Sequence, residues 1–209
     1  MTIMHHPSDE TLAAFAAGTL DEARTLVVGT HLSLCGACRK AGRAFEHVGG
    51  AMLDQLEPTA MHAAALERTT ARLDRPLAPA RRESRSQSLP APLAQYDLGS
   101  WRWIGRGVQY RSVAVDSADN CRVFMLKAAP GTRLPRHRHT DIEWTCVFEG
   151  AFRHDFGRYG AGDFDEADET VEHNPVVEDG VPCICLVALK GNIQLQSWMG
   201  RVLQPLIRI

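Results

Sequence analysis

Apolar positions recur at three- and four-residue steps from residue 8 to about 73, and in short separated runs after Leu93. The chain therefore reads as helices followed by strands. Ser8 and Asp9 can cap a first helix, TLAAFAAG, which Gly18 would end. A second is predicted from about Asp21 to Arg43, where Leu26, Val27, Thr30, Leu34, Cys35 and Cys38 keep a helical step. Gly49 and Gly50 punctuate, and a third helix is expected over residues 57–73. Residues 74–92, DRPLAPARRESRSQSLPAP, hold four prolines, four arginines and three serines with almost no large apolar side chain. Such a segment buries too little surface to offset its chain entropy, so a flexible linker is expected. Beyond it the runs CRVFMLKA, EWTCVFEG, AFRHDFG and CICLVALKG alternate with Gly, Pro and Asp-rich turns. No helical period interrupts them, which predicts an antiparallel sandwich or barrel. The expected fold is α + β in two domains: a small all-α domain over 1–73, a linker over 74–92, and an all-β domain over 93–209.

Composition narrows the function classes. In 209 residues the net charge is −2, and residues 1–73 carry six Lys/Arg against eight Asp/Glu, so no basic footprint for direct nucleic-acid binding exists. The arginines of the linker are read as solvating it. MTIMHHPSDE lacks the apolar core of a signal peptide, and no apolar run reaches the roughly 18–20 residues that span a bilayer. Six unevenly spaced cysteines do not resemble a secreted disulfide scaffold. A cytoplasmic, reducing location is expected, where paired thiols bind metal or do redox chemistry.

Two constellations carry chemistry. In HLSLCGACRK, His31, Cys35 and Cys38 lie at about 0°, 40° and −20° around a helix, so all three leave one narrow face. Zinc takes four N/S donors, and this spacing supplies three of them. The fourth must come from another segment. His5 and His6 are the candidates, and Pro7, which holds its predecessor extended, favours His6. The competing readings are a redox Cys-x-x-Cys, which would need a βαβ context absent here, and two buried thiols beside an unrelated histidine. HPSDETLAAFAAGTL and THLSLCGACR resemble the zinc-binding anti-sigma factor family. That resemblance implies a helical domain that clamps an extracytoplasmic-function sigma factor away from RNA polymerase.

GTRLPRHRHTDIEWTCVFEG (131–150) sets His137 and His139 on one face of a strand, with Glu143 on the same parity. Gly131, His137, His139, Glu143 and Gly150 match the spacing of the first cupin motif, whose fold is a double-stranded β-helix. Gly162 and His173 have the separation of the second motif, which makes His173 the expected third histidine. Asp168 and Thr170 stand where that family has Pro and Gly, and Val177 where it has Asn. Three imidazoles and one carboxylate suit Zn, Fe, Mn or Ni alike.

Of the remaining histidines, His154, His47 and His62 lack partners at ligand spacing and are read as surface or core residues. Cys183 and Cys185 face one side of a strand, either as small buried residues or as oxidisable thiols near the barrel metal. Cys121 and Cys146 are read as core. A short zinc domain joined to a cupin is similar to the ChrR-type anti-sigma factors. The resemblance implies a non-enzyme: residues 1–73 hold the sigma factor as a 1:1 heterodimer, and the cupin is needed to release it under oxidative stress such as singlet oxygen. Leu26, Val27, Leu32, Leu34, Phe45, Val48, Leu53 and Leu56 exceed what a core of some 70 residues needs, so some are expected to meet a partner. The alternative is a metal-dependent cupin dioxygenase or isomerase with a metal-binding appendage.

Overall fold

The structure, a computed structural model, describes residues 2–73, 89–116 and 120–195. Most of the predicted linker, residues 74–88, lies outside them. Four α-helices come first: α1 (Asp9–Ala16), α2 (Glu22–Leu34), α3 (Gly36–Asp54) and α4 (Ala65–Leu73). Ser8 caps α1 through Thr11 N, Asp21 caps α2 through Arg24 N, and Gly18 turns the chain at φ +67°.

Three helical boundaries differ from expectation. The single helix predicted over 21–43 is two helices broken at Cys35, whose φ −102° and ψ 110° are extended. Cys35 Sγ accepts from Cys38 N at 3.5 Å and thereby caps α3, while Arg39 Nη1 donates to Leu32 O and Ser33 O at the end of α2. A side-chain cap at each end of a one-residue break makes the corner cheap. Gly49 and Gly50 lie inside α3, because a helical glycine costs only about 1 kcal/mol against alanine. The helix predicted over 57–73 is confined to Ala65–Leu73.

Twelve strands follow among the described residues. One sheet has the order β1 (Arg102–Gly105), β2 (Val108–Val113), β3 (Arg122–Ala128), β11 (Cys183–Leu189), β5 (Glu143–Glu149), β8 (Phe164–Ala167). A second has β10 (Val176–Val177), β6 (Ala151–His154), β7 (Gly157–Gly160), and a third β12 (Ile193–Leu195), β4 (His137–His139), β9 (Glu172–His173). All pairs are antiparallel, as the strand pattern predicts. Cys183, Cys185, Val187 and Leu189 of β11 face the barrel interior clusters, whereas Leu186 and Ala188 belong to a different one.

That other cluster joins the two halves of the molecule. Leu12, Leu26, Val27 and Val28 pack in one continuous core with Val123, Met125, Trp144, Cys146, Phe164, Leu186 and Ala188. Helix α2 lies across β5 and β11. A strand covered on both faces carries apolar residues at successive positions, which accounts for CICLVAL and for the WTCV of β5. Full burial of each such side chain contributes about 1.5–3 kcal/mol, so the seam is held by packing and not by a few polar contacts. A carboxylate in place of Leu186 would sit in that seam without a partner. Residues 91–95 form a short 3-10 helix, and its fully buried Leu93 joins the same core.

Candidate metal centres

The corner between α2 and α3 brings two thiols to one point, and the extended arm before α1 adds an imidazole. His6 Nδ1 lies 3.5 Å from Cys35 Sγ and 3.3 Å from Cys38 Sγ. His31 completes the group, and one donor atom from each of the four falls within 4.8 Å of the others. His31 is fully buried; its Nδ1 donates to Gly162 O at 2.8 Å, which leaves Nε2 as a lone pair with no hydrogen-bond partner. Burial lowers the His31 pKa to about 4 despite that carbonyl, so the ring is a neutral ligand at physiological pH. Burial and the neighbouring Cys35 push the Cys38 thiol up to about 12. Without a cation, that proton stays on; a bound divalent ion would displace it. Two nitrogens and two sulfurs suit zinc in a closed tetrahedral site. Cys35, Cys38 and His31 thus converge although no single helix carries them. His5 lies elsewhere, stacked on Tyr159 with ring centroids 4.2 Å apart.

The second group is built by three strands. Pairing of β4 with β9 sets His137 opposite His173. His173 Nε2 is 3.1 Å from His137 Nε2 and 3.2 Å from His139 Nε2. His137 Nδ1 donates to Pro135 O at 2.7 Å, which fixes the tautomer that turns a lone pair toward the others. Burial lowers the pKa of His139 to about 4 and of His173 to about 3, and also depresses His137. Three neutral imidazole nitrogens crowded to contact distance have a ready explanation as ligands of one cation. Glu143, on the first residue of β5, joins this group within the same 4.8 Å criterion. Burial raises its carboxyl to about 7 against the opposing pull of His137. Donors N3O fit a divalent transition metal with a position left for another ligand.

Space lies beside this group. A mainly apolar cavity of about 210 Å³ reaches His137 and Glu143 past Ile104, Phe124, Leu134 and Ile193. A smaller one of about 50 Å³ is lined by Glu143, Asp165, His173, Cys183 and Cys185. Both of those cysteines are buried, and the Cys185 thiol is pushed well above its usual range by its hydrogen bond with Cys183 and by burial. Cys121 and Cys146 are buried in the shared core.

His154, read from the sequence as lacking a partner, has one. Its Nε2 lies 3.1 Å from Asp165 Oδ2, and its ring is 5.0 Å from that of His173. The partner sits eleven residues on, on another strand, so only the folded register reveals it. His47 and His62 are exposed. The departures from the second motif are also accounted for: Asp168 Oδ1 accepts from Thr170 N at 2.8 Å and Oγ1 at 2.6 Å, making the turn before His173 by side chain instead of Pro-Gly. Val177 is buried in the barrel core.

Comparison with known proteins gives the chain's family. The anti-sigma-E factor ChrR of Cereibacter sphaeroides is 42% identical over 217 residues, covering 100% of both chains. The chain belongs to the ChrR family of anti-sigma factors. The family's ChrR cupin-like domain matches residues 92–191 and so contains His137, His139, Glu143 and His173. The crystal structure of Rhodobacter sphaeroides SigE in complex with the anti-sigma ChrR is 41% identical, covers 90% of this chain and 100% of that one, and gives a TM-score of 0.78. Among the described residues no helix is long and apolar enough to cross a membrane.

Proposed function

We propose that this chain is a cytoplasmic anti-sigma factor, not an enzyme, that holds an extracytoplasmic-function sigma factor as a 1:1 heterodimer. The observation that carries it is full-length similarity to an anti-sigma factor at 42% identity, including the segment with the H-x3-C-x2-C corner. The physical surface for it lies on the helices. Leu26 and Val27 are used inside the molecule, against the barrel, but Val48, Met52, Leu53 and Leu56 on and just beyond the second half of α3 are each about 60% exposed or more. No residue of α4 is buried, and its Leu66 and Leu73 are open to solvent. Uncovered rows of this kind on a helical face suit burial against a partner helix.

In this reading residues 1–73 form the sigma-binding unit and residues 93–209 the cupin. Zinc is held by His6, His31, Cys35 and Cys38, and ties the arm to the α2–α3 corner, preorganising α3 for its partner. A second zinc or another divalent metal is held by His137, His139, Glu143 and His173. The cupin is the part needed for release under oxidative stress such as singlet oxygen; its cavities bring solvent-borne chemistry to the metal and to Cys183 and Cys185. Co-expression with candidate sigma factors, followed by co-purification and metal analysis, tests the assignment. A stoichiometric complex carrying zinc is expected, and replacing Val48 and Met52 with Asp dissolves it while zinc stays bound. Failure to capture any sigma factor, together with oxygen uptake on small diketones or thiols, would replace this reading with the dioxygenase one.

A further inference from the structure

The two metal centres lie in different halves of the chain, yet the arm that brings His6 is fastened to the barrel. Asp163, 3% exposed, precedes β8 and accepts Met4 N at 2.7 Å and His5 N at 3.0 Å on Oδ1. Its Oδ2 accepts Gly160 N at 2.7 Å, which locks the carboxylate to its own loop. Phe164 N then donates to His5 O at 3.1 Å, so a backbone bond also holds the arm to the start of β8. Two residues later, Glu166 receives Ser8 N and the Thr11 hydroxyl. The barrel is also shaped to let the arm pass. Gly162 has φ +92°, and a Cβ there would stand 2.7 Å from Ile3; one at Gly157 would stand 3.3 Å from the His5 ring. The second imidazole is tied to the same loop, since the Gly162 carbonyl accepts from His31 Nδ1.

We infer that the loop and strand from Gly160 to Glu166 form the outer shell of the amino-terminal zinc site, with Asp163 as its principal positioning residue. The inference rests on the zinc reading of His6, His31, Cys35 and Cys38. Outer-shell groups orient a ligand and fix its tautomer, and their loss characteristically weakens metal binding 10–100-fold. Here both imidazole ligands are so governed by the barrel: His31 through a carbonyl, His6 through the two amides that precede it. The two thiols come from the helical corner alone. Half of the zinc donor set is therefore answerable to the position of a cupin loop. A displacement of that loop loosens the arm, and with it the corner that carries α3. The same loop is close to the other centre, because Tyr159, which stacks on His5, also stacks on His154 at 4.8 Å, and His154 lies against His173.

The test is zinc affinity of the full chain by chelator competition, with the cupin metal counted separately. Asp163→Ala is expected to weaken the amino-terminal zinc 10–100-fold, and Asp163→Asn, which keeps an acceptor oxygen for the Met4 and His5 amides but sets an NH2 against Gly160 N, to recover part of the loss. Met4→Pro removes one of those donors from the arm side without touching the barrel, and is expected to act in the same direction even if Asp163→Ala folds poorly. Leu189→Ala, fully buried in a barrel-interior cluster that contains none of the four ligands, serves as a control: it lowers the unfolding temperature by leaving a cavity, with amino-terminal zinc affinity unchanged. Unaltered zinc affinity in both Asp163→Ala and Met4→Pro overturns the inference. An unmodified chain that binds no zinc through Cys35 and Cys38 instead removes the reading on which it rests.

Discussion

The two candidate metal centres are built by opposite strategies. The amino-terminal group has two nitrogen and two sulfur donors, draws them from an arm and a helix corner, and lies at the seam between helices and barrel. The cupin group has three nitrogens and a carboxylate, draws them from neighbouring strands, and is bordered by two cavities. A closed four-donor thiolate set holds structure; a set with adjoining space can take another ligand. The difference suits the first group to the holding role and the second to the responding role of the proposed function.

The largest effect expected is on the closed site. On the zinc reading, serine at Cys35 or Cys38 takes away a thiolate ligand and the sigma factor should no longer co-purify; structural zinc in zinc-finger peptides contributes roughly 10–16 kcal/mol of apparent folding free energy. Metal analysis should then find about one ion per chain, that of the cupin. Two bound ions with undiminished sigma binding would erase the distinction drawn between the sites. A smaller effect on binding, but a complete one on response, is expected from alanine at both His137 and His139. The cupin metal disappears, zinc and sigma factor remain, and a stress-driven reporter stays silent. A reporter that still responds would move the sensing elsewhere.

The smallest effect is a difference in pH dependence. A metal that displaces a proton binds about tenfold tighter per pH unit up to the pKa of the metal-free group, and gains nothing above it. Burial raises the Glu143 carboxyl to about 7 and lowers His139 to about 4 and His173 to about 3, so cupin affinity should climb toward pH 7 and then flatten. Cys38 holds its proton to about 12, so zinc affinity at the corner should keep climbing between pH 7 and 9. Calorimetric or chelator titrations at three pH values would separate the two slopes; parallel slopes would contradict the assignments.

Much of this was legible in residue spacing. His137 and His139 share a face by the two-residue period of a strand, and His173 was reached through the resemblance to the second cupin motif; His31, Cys35 and Cys38 do converge, but at a break between helices and not along the one helix their spacing predicted. The break at Cys35 was not legible, because a cap made by the cysteine's own sulfur looks like an ordinary helical position in the sequence. His154 was missed because Asp165 reaches it across strands that only tertiary pairing aligns. The union of helices and barrel did leave a trace. CICLVAL and WTCV fail to alternate, which says that both faces of β11 and β5 are covered, although nothing in the runs names α2 as the cover. A flexible linker was expected over 74–92, yet Leu89 and Leu93 at its end pack on the shared core, and composition alone cannot report that Leu12, Leu26 and Val27 face the barrel.

The arm that docks beside Asp163 has a consequence for the order of assembly. Met4 and its carboxylate partner are 159 residues apart in the chain, and His31 and its carbonyl partner 131. At about 5–20 residues per second, a ribosome needs roughly 8–30 s to travel from the arm to its seat. Throughout that interval the thiols are made but both of their imidazole companions have no anchor. The arm, made first, is thus among the last parts to be set, and a nascent chain would begin to grip a metal firmly only when the barrel that seats the arm has been synthesised.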